Sequence, residues 1–320
     1  CKLLHEVRVR ISVLKKCHQR IPKKVLDDKE VKDYLKTIHA NYVITPTDKA
    51  GNNFSIVCKK FYISCLLKEL NILKDPMDKK QSPSKSTYKY LKSKTSIIVN
   101  RHIKYMSKHN ISVEDSQRTL PFLYWIPKMH KFPSKQRYIA ASHSCTTKPL
   151  SKMITFCLKL IQQTHTNHCK TIFKNSGYNR MWITENSVGV MQKIIELKKG
   201  LAKNIRTYDF STLYTSIPHR ELKNKISWVI SQCFNDESRK FIRIGKDSAH
   251  WSSARSKTGH CWDKDELIKH TKWLISNIYV LCGDSMFKQV IGIPMGTDCA
   301  PFLANLFLFA YEYKWLTKKW

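Results

Sequence analysis

The sequence predicts an α+β fold in which an antiparallel sheet packs with helices. Two observations predict it: apolar runs separated by turn residues recur as hairpins, and segments with apolar residues at helical spacing lie between those hairpins. A hydrophobic content of 42% in 320 residues is enough for a sizeable core and for one to three domains.

The first part of the chain combines helical patterns with one hairpin. Residues 1–40 form a basic segment that we expect to be helical, and 59–73 also have a helical period. Two strands are expected at 42–45 and 54–58, because β-branched and aromatic residues flank a turn that contains Asp, Gly and Asn. Residues 75–100 are rich in Lys, Ser and Asp and are expected to form an exposed connection.

A second hairpin and a well-marked helix follow. Residues 121–126 and 137–142 are apolar runs joined by a basic loop with a proline near each end. The helix is indicated by apolar residues at i, i+3, i+4 and i+7, namely Leu150, Met153, Ile154, Cys157, Leu158 and Ile161. Another helix is expected over about 185–199.

The last part alternates strands and helices. Residues 204–210 indicate a strand that ends at an acidic residue, and a helix is expected to begin near His219, after a proline. Residues 235–262 are polar and are expected to be loop-like. The remaining elements are a helix at 264–277, a hairpin formed by 278–282 and 286–291, and a helix marked by Leu303, Leu306, Phe307, Ala310 and Tyr311.

The charge of the chain indicates a polyanionic partner. Lys and Arg total 57 against 24 Asp and Glu, so the formal net charge is +33. A compact chain with so large an excess repels itself unless a polyanion neutralises it, and nucleic acid does so through its phosphates. A solvated basic surface is the simpler alternative. No apolar run is long enough to cross a bilayer, and no long basic amphipathic helix with a broad aromatic face is recognised, so we expect no membrane partner.

The eleven cysteines do not indicate a disulfide framework or a zinc site. They are scattered and contain no C-x-x-C pair, which favours reduced thiols inside the cell. His165, His168 and Cys169 lie close together, but their spacing is not that of a structural zinc site.

Three segments contain residues suited to phosphoryl transfer. Asp209 ends a predicted strand, where a carboxylate can hold a divalent cation, although a turn or cap Asp is the simpler interpretation of this residue alone. Residues 292–301, with two glycines, allow the backbone to approach a flat ligand closely, although they also suit a plain connecting loop. Lys128 and Arg137 on the second hairpin can clamp a triphosphate, although a basic surface hairpin is equally plausible.

The three segments occur in the order of the motifs of a reverse transcriptase. Ile126-Pro127-Lys128 with Arg137-Tyr138-Ile139 resembles the fingers motifs, 209–214 resembles motif A, and 292–305 resembles motif B. Segments of Penelope-like retroelements resemble two stretches of this chain, Thr47-Asp48-Lys49-Ala50-Gly51 and Gly292-Ile293-Pro294-Met295-Gly296-Thr297. The resemblance implies a right-hand polymerase, with a fingers region at 41–200 and part of the palm at 201–320.

The resemblance also implies the catalytic chemistry. Asp209 would be the catalytic carboxylate and a ligand of Mg²⁺ or Mn²⁺, and Phe210 would add its backbone carbonyl as a second metal ligand. Tyr214, five residues after Asp209, would lie under the sugar and exclude a 2′-hydroxyl. The reaction implied is RNA-directed DNA synthesis by two-metal nucleotidyl transfer, in which two ions stabilise the attacking and leaving oxygens.

The remaining site residues are implied in the same way. Lys128 and Arg137 would bind the triphosphate, while Met295 and Gly296 would pack against the incoming base. The residues expected to contact template or primer are Lys49, Lys131 and Gly292. The partners implied are an RNA template, a DNA primer and deoxynucleoside triphosphates, and the class implies an intracellular, nuclear location.

The chain also departs from the pattern of the family. No aromatic-x-Asp-Asp motif C follows motif B within the 320 residues, and the one Asp-Asp pair, Asp27-Asp28, lies far upstream. We therefore expect a fragment that binds nucleic acid but does not polymerise alone. A non-catalytic nucleic-acid-binding protein derived from a retroelement is the alternative, and a telomerase-like or group II intron-like polymerase differs mainly in its flanking domains. Asp298, an acid near the nucleotide site, is expected to be a helix cap rather than a metal ligand.

Overall fold

A computed structural model describes residues 29–73, 87–184, 186–195, 206–210, 212–293 and 296–319. The helices are α1 Lys29–Asn41, α2 Lys59–Glu69, α3 Thr95–Lys108, α4 Lys148–Ser176, α5 Ser187–Ile195, α6 Leu213–Ser216, α7 His219–Cys233, α8 Lys264–Ser276 and α9 Ala300–Lys319. The strands are β1 Tyr42–Thr47, β2 Ala50–Cys58, β3 Tyr88–Leu91, β4 Leu123–Lys128, β5 Lys135–Ala140, β6 Phe241–Ile244, β7 Ala249–Ser252, β8 His260–Trp262, β9 Tyr279–Cys282 and β10 Ser285–Gln289.

The chain forms two compact units, and the smaller comprises Cys1–Ser64 and Pro127–Lys135. Its described part is built on the antiparallel hairpin β1–β2, as predicted, with Tyr42 opposite Cys58. The hydroxyls of Thr47 and Ser55 are hydrogen-bonded across the hairpin at 2.7 Å. Lys49 has a φ of 61° at the turn, a left-handed conformation that is uncommon for a residue with a side chain.

The larger unit, Cys65–Ile126 with Gln136–Trp320, has a core made by helices α4, α7, α8 and α9. The face of α4 predicted from its spacing is buried, since Leu150, Ile154, Leu158 and Ile161 are each 0% exposed. A proline in its first turn suits the start of α4, and Gly177, with a φ of 72°, ends it.

A three-stranded antiparallel sheet of order β3-β10-β9 also belongs to the larger unit. It confirms the predicted hairpin of 278–282 and 286–291. The expectation of an exposed connection over 75–100 is wrong for 88–100, which form β3 and the start of α3. Tyr88 and Ile98 are buried, because β3 pairs with β10 and the apolar face of α3 packs over the sheet.

The segment 235–262 is not a loop, contrary to its polar composition. It contains a second antiparallel sheet of order β7-β6-β8. The strands are only three or four residues long, so their alternation is too short to be recognised, yet Ile242 and Trp262 are buried against the helical core.

The strand expected at 204–210 is absent from its described part, since 206–210 form no strand and are exposed. No strand in the part of the chain that the structure describes pairs with these residues. Their β-rich composition alone is not sufficient to form a strand without such a partner. The helix expected over 185–199 is present as α5. The segment 1–28, with Asp27-Asp28, lies outside the described residues.

The predicted α+β class, with antiparallel sheets and packed helices, is confirmed. Among the helices that the structure describes, none combines the length and the apolar character that a bilayer crossing requires.

Candidate polymerase site

The segment that resembles motif A lies at the surface of the larger unit. Asp209 and Phe210 are exposed, and Asp209 makes no hydrogen bond or ion pair with any of the described residues. A carboxylate in this state is free to bind a cation. Tyr214 follows on the single helical turn α6, where it is half-buried against the core, and this burial raises the pKa of its hydroxyl.

Backbone hydrogen bonds join this segment to the one that resembles motif B. The amide of Gly292 donates to the carbonyl of Ile217 at 2.8 Å, and the amide of Ile293 donates to the carbonyl of Tyr214 at 2.6 Å. A bridge between Pro218 and Ile291 continues the contact. The two motifs, which are about 80 residues apart in sequence, are therefore held in one fixed arrangement.

Gly292 is required by this arrangement for two reasons. Its φ is 83°, in the region that residues with a side chain rarely adopt. A Cβ atom at this position would lie 2.4 Å from the carbonyl oxygen of Tyr214 and 2.8 Å from the Cα of Thr215. The sequence predicts a close approach of this backbone to a flat ligand, but Gly292 approaches the segment of the same chain that resembles motif A.

His219, at the start of α7, supports the same junction. Its Nε2 lies 2.7 Å from the carbonyl oxygen of Gly292, so this nitrogen carries the proton and donates. Burial lowers the pKa of His219, and the positive charges of Lys223 and Lys288 lower it further, although the bond to Gly292 opposes the shift.

Gly296 contacts the strand that carries Arg137. A Cβ atom on Gly296, whose φ is 110°, would lie 2.4 Å from the carbonyl oxygen of Ala140 at the end of β5. The hydroxyl of Ser142 donates to the carbonyl of Gly296 at 2.7 Å. The structure thus brings the segment that resembles motif B against β5, whereas Met295 lies outside the described residues.

Asp298 is held by an ion pair. Its carboxylate accepts a hydrogen bond of 2.6 Å from Lys148, at the first residue of α4, and both side chains are mostly buried. Among the described residues, no bond from Asp298 to the backbone of α9 is seen, so the expectation that it caps the helix is not met. The pair ties the beginning of α9 to the beginning of α4.

A cavity of about 380 Å³ lies beside this contact. Its lining includes Phe122, Tyr124, His143, Lys148 and Gly296. Ligand sites commonly have this size and combine aromatic surface with a few polar groups, so the cavity suits a flat ligand. Arg137 lies on β5, the strand whose last residues Ile139 and Ala140 line the cavity.

Positive charge converges behind the junction of the two motifs. Burial lowers the pKa of Lys223 on α7, and the charges of Lys288 on β10 and Lys272 on α8 lower it further. Lys223 thus lies within electrostatic range of two other lysines, each from a different element.

The other predicted contacts lie in the smaller unit. Lys49 is exposed at the tip of the β1–β2 hairpin, beside an open groove of about 830 Å³ that Phe54, Met129 and His130 also line. The amide of Asp48 donates to the carbonyl of Pro127 at 3.0 Å, which fixes the turn against the end of β4, where Lys128 lies, shortly before Lys131 in the following loop.

The donor set for a divalent cation is only partly visible. Asp209 and the adjacent carbonyl of Phe210 suit Mg²⁺, which binds oxygen ligands. No group of three His, Cys, Asp or Glu side chains that could hold a metal ion occurs among the described residues. Asp209 and the carbonyl of Phe210 alone do not make a complete donor set.

Comparisons with solved structures identify the fold. The chain is similar to the telomerase of Candida albicans solved with a fragment of telomeric RNA, with a TM-score of 0.54, 12% identity and 90% of this chain covered. It is also similar to the corresponding complex from Candida tropicalis, with a TM-score of 0.50, 12% identity and 89% of this chain covered.

The chain has a reverse-transcriptase-like fold. It spans 44% and 40% of the length of these two telomerases. No protein-family model matches the chain, and no curated protein is a significant match.

Sequence reasoning missed three residues of this site, namely His219, Lys148 and Ser142. Each acts through a backbone carbonyl or an ion pair formed across more than 70 residues of sequence. Such contacts leave no local pattern, and only the position of His219 directly after motif A could have drawn attention to it.

Proposed function

We propose that the chain is the fingers region and part of the palm of an RNA-directed DNA polymerase of the Penelope-like retroelement type. The observation that carries the proposal is the junction of the two motifs. A turn that follows an unpartnered Asp209 is bonded through its backbone to Gly292, and Gly296 is pressed against the fingers strand β5.

In this proposal the chain's own residues position the reactants. Asp209, with the carbonyl of Phe210, holds a divalent cation, and Tyr214 lies beneath the sugar and selects deoxynucleotides. Mg²⁺ supplies charge stabilisation at the attacking and leaving oxygens when it is bound. Arg137 and Lys128 bind the triphosphate, and their charges offset the charge that develops in the transition state.

The nucleic-acid partner is an RNA template with a DNA primer. The net charge of +33 and the converging Lys223, Lys272 and Lys288 support a polyanion. Lys49 and Lys131 in the smaller unit are the proposed contacts to template or primer. Gly292, which the resemblance also assigns to this contact, is instead buried against the backbone of Tyr214 and Thr215. A nuclear location follows from the class of element and belongs to the proposal.

The proposal is tested by nucleotide-dependent binding. The 320-residue chain should bind an RNA template annealed to a DNA primer, and the complementary deoxynucleoside triphosphate with Mg²⁺ should slow dissociation. A non-complementary nucleotide serves as the control. If no nucleotide affects the binding, the result would favour a nucleic-acid-binding protein without a polymerase site. Asp209 as the single assigned carboxylate favours this second candidate function.

We expect residues 1–320 alone to form this complex without extending the primer, because one assigned carboxylate supplies too little charge for two metal ions. Products that depend on Asp209 and Mg²⁺ from these residues alone would contradict that expectation.

A further inference from the structure

A second cavity, of about 690 Å³, opens on the larger unit away from the junction of the two motifs. We call it the aromatic cavity, because Trp228, Trp251 and Tyr313 form its walls, while His165, Gln232 and Arg239 are among its polar lining. It reaches α4 at Thr164, sixteen residues after Lys148. At 1.5 Å per residue, the two residues are about 24 Å apart along the helix.

The aromatic walls are held in fixed positions. The indole of Trp251 donates to the hydroxyl of Thr164 at 3.0 Å and meets the ring of Phe234 edge-on at 4.9 Å. The rings of Trp228 and Tyr313 are tilted by 49° to each other, with their centroids 6.0 Å apart. Rings fixed in this way can stack on a flat ligand without a further loss of side-chain entropy.

The lining also offers hydrogen bonds in both directions. The amides of Asn167, Gln232 and Asn235 make no side-chain bond to any residue that the structure describes, so their donors and acceptors remain available. Buried His165 donates from Nε2 to the carbonyl of Val229 at 3.0 Å, which leaves Nδ1 as an acceptor. Burial lowers the pKa of His165, so the ring is neutral near pH 7.

The charge at the rim is positive where it is not compensated. Arg239 binds Asp236 at 2.8 Å, and this bond is the main cause that lowers the pKa of Asp236. The ammonium of Lys314 lies 4.6 Å from the ring centroid of Trp228. The acid is therefore neutralised, and a phosphate beside Trp228 can meet the ammonium of Lys314.

We propose that the aromatic cavity binds a base of single-stranded nucleic acid, at a site separate from the polymerase site. Flat rings stack on a base, the amides and His165 can bond to its polar edge, and Lys314 lies beside one wall to meet a phosphate. A protein side chain would also suit the rings, but a chain with a net charge of +33 favours a polyanion. The site would hold a strand about 24 Å from Lys148 at the motif B contact.

The test compares three probes on the 320-residue chain. An eight-nucleotide oligoadenylate should bind about tenfold more tightly than an abasic strand with the same number of phosphates, because the abasic strand keeps the charge and lacks the bases. AMP is the third probe. Affinity for AMP close to that of the oligomer would assign the same base-binding site to a free nucleotide, and weak binding of AMP would assign it to a strand.

Variants locate the preference. Trp228→Ala should reduce the preference for bases to about twofold or less and leave the salt dependence unchanged, since that dependence counts phosphates. Trp182→Ala is the matched control, because Trp182 is a half-exposed tryptophan that does not line the cavity. Equal preference in the two variants would overturn the proposal.

A measurement on the unaltered chain covers the case in which Trp228→Ala does not fold. Photo-crosslinking of an oligomer that contains 4-thiouridine should attach it to a peptide with Trp228, Trp251 or Tyr313. Cross-links that map only to other parts of the chain, or a cavity that takes up a peptide and excludes the oligomer, would refute the assignment.

Discussion

Replacing Gly292 by Ala tests the junction between the two motifs. Two costs add: the left-handed backbone, with a φ of 83°, and the overlap of the new Cβ with the carbonyl oxygen of Tyr214 at 2.4 Å. The first is about 1–2 kcal/mol for a residue with a side chain. The second requires a shift of roughly 1 Å to restore an ordinary contact, and forced repacking of a filled interior costs about 1–3 kcal/mol.

Gly177→Ala is the matched control, because Gly177 has a φ of 72° and a Cβ atom added there would meet no other atom within 4 Å. Urea unfolding of the 320-residue chain should show a loss of about 1–2 kcal/mol for Gly177→Ala. It should show a loss of about 2–5 kcal/mol for Gly292→Ala, the sum of both costs. Equal losses would refute the close approach of Gly292 to the turn that carries Tyr214.

Four further predictions follow from the site and the core. In an active polymerase that contains this chain, Tyr214→Val should increase ribonucleotide incorporation at least tenfold, because it removes the bulk beneath the sugar; unchanged selectivity in primer extension would place Tyr214 elsewhere. Arg137→Ala should reduce the effect of the nucleotide on primer–template dissociation more than it reduces primer–template affinity. Equal losses in the two measurements would assign Arg137 to nucleic-acid binding instead of nucleotide binding. Asp298→Asn should cost about 1 kcal/mol in urea unfolding, because it removes the mostly buried pair with Lys148, and no loss would mean that this pair does not hold the two helices. Burial lowers the pKa of His270 to about 4. The free energy of unfolding should therefore be highest above pH 6.5 and fall as the pH drops towards 4, because the unfolded state binds a proton that the folded state does not. A urea midpoint that does not change over this range, or a pH dependence of the midpoint that His270→Gln leaves unchanged, would contradict this.

Elements with a long, regular pattern could be predicted from the sequence. The buried face of α4 and the hairpin β9–β10 were identified because each is set by the spacing of apolar residues or by a turn. The sheet β7-β6-β8 was missed, since strands of three or four residues contain too few alternations. Strand β3 was missed for another reason: it forms by pairing with β10, which lies nearly 200 residues later in the sequence.

The candidate site shows the same division. The sequence predicts that the backbone at Gly292 and Gly296 approaches a flat ligand, whereas in the structure a Cβ at either position would overlap another backbone segment. What each approaches could not be predicted, because Tyr214 and Ala140 meet them only through the tertiary fold. The pair of Lys148 and Asp298 was not expected either, since its members are 150 residues apart.

The central claim, that this fold carries a polymerase site with Asp209 as a catalytic carboxylate, is tested most directly by primer extension. The assay should use the natural protein that contains these 320 residues, with an RNA template, a DNA primer, deoxynucleoside triphosphates and Mg²⁺. We predict extension products that fall by at least a hundredfold with Asp209→Asn, while primer–template affinity stays within about twofold, because the substitution removes a metal ligand and keeps the shape of the side chain. Extension that does not depend on Asp209, or no extension by a protein that binds the primer–template, would contradict the claim.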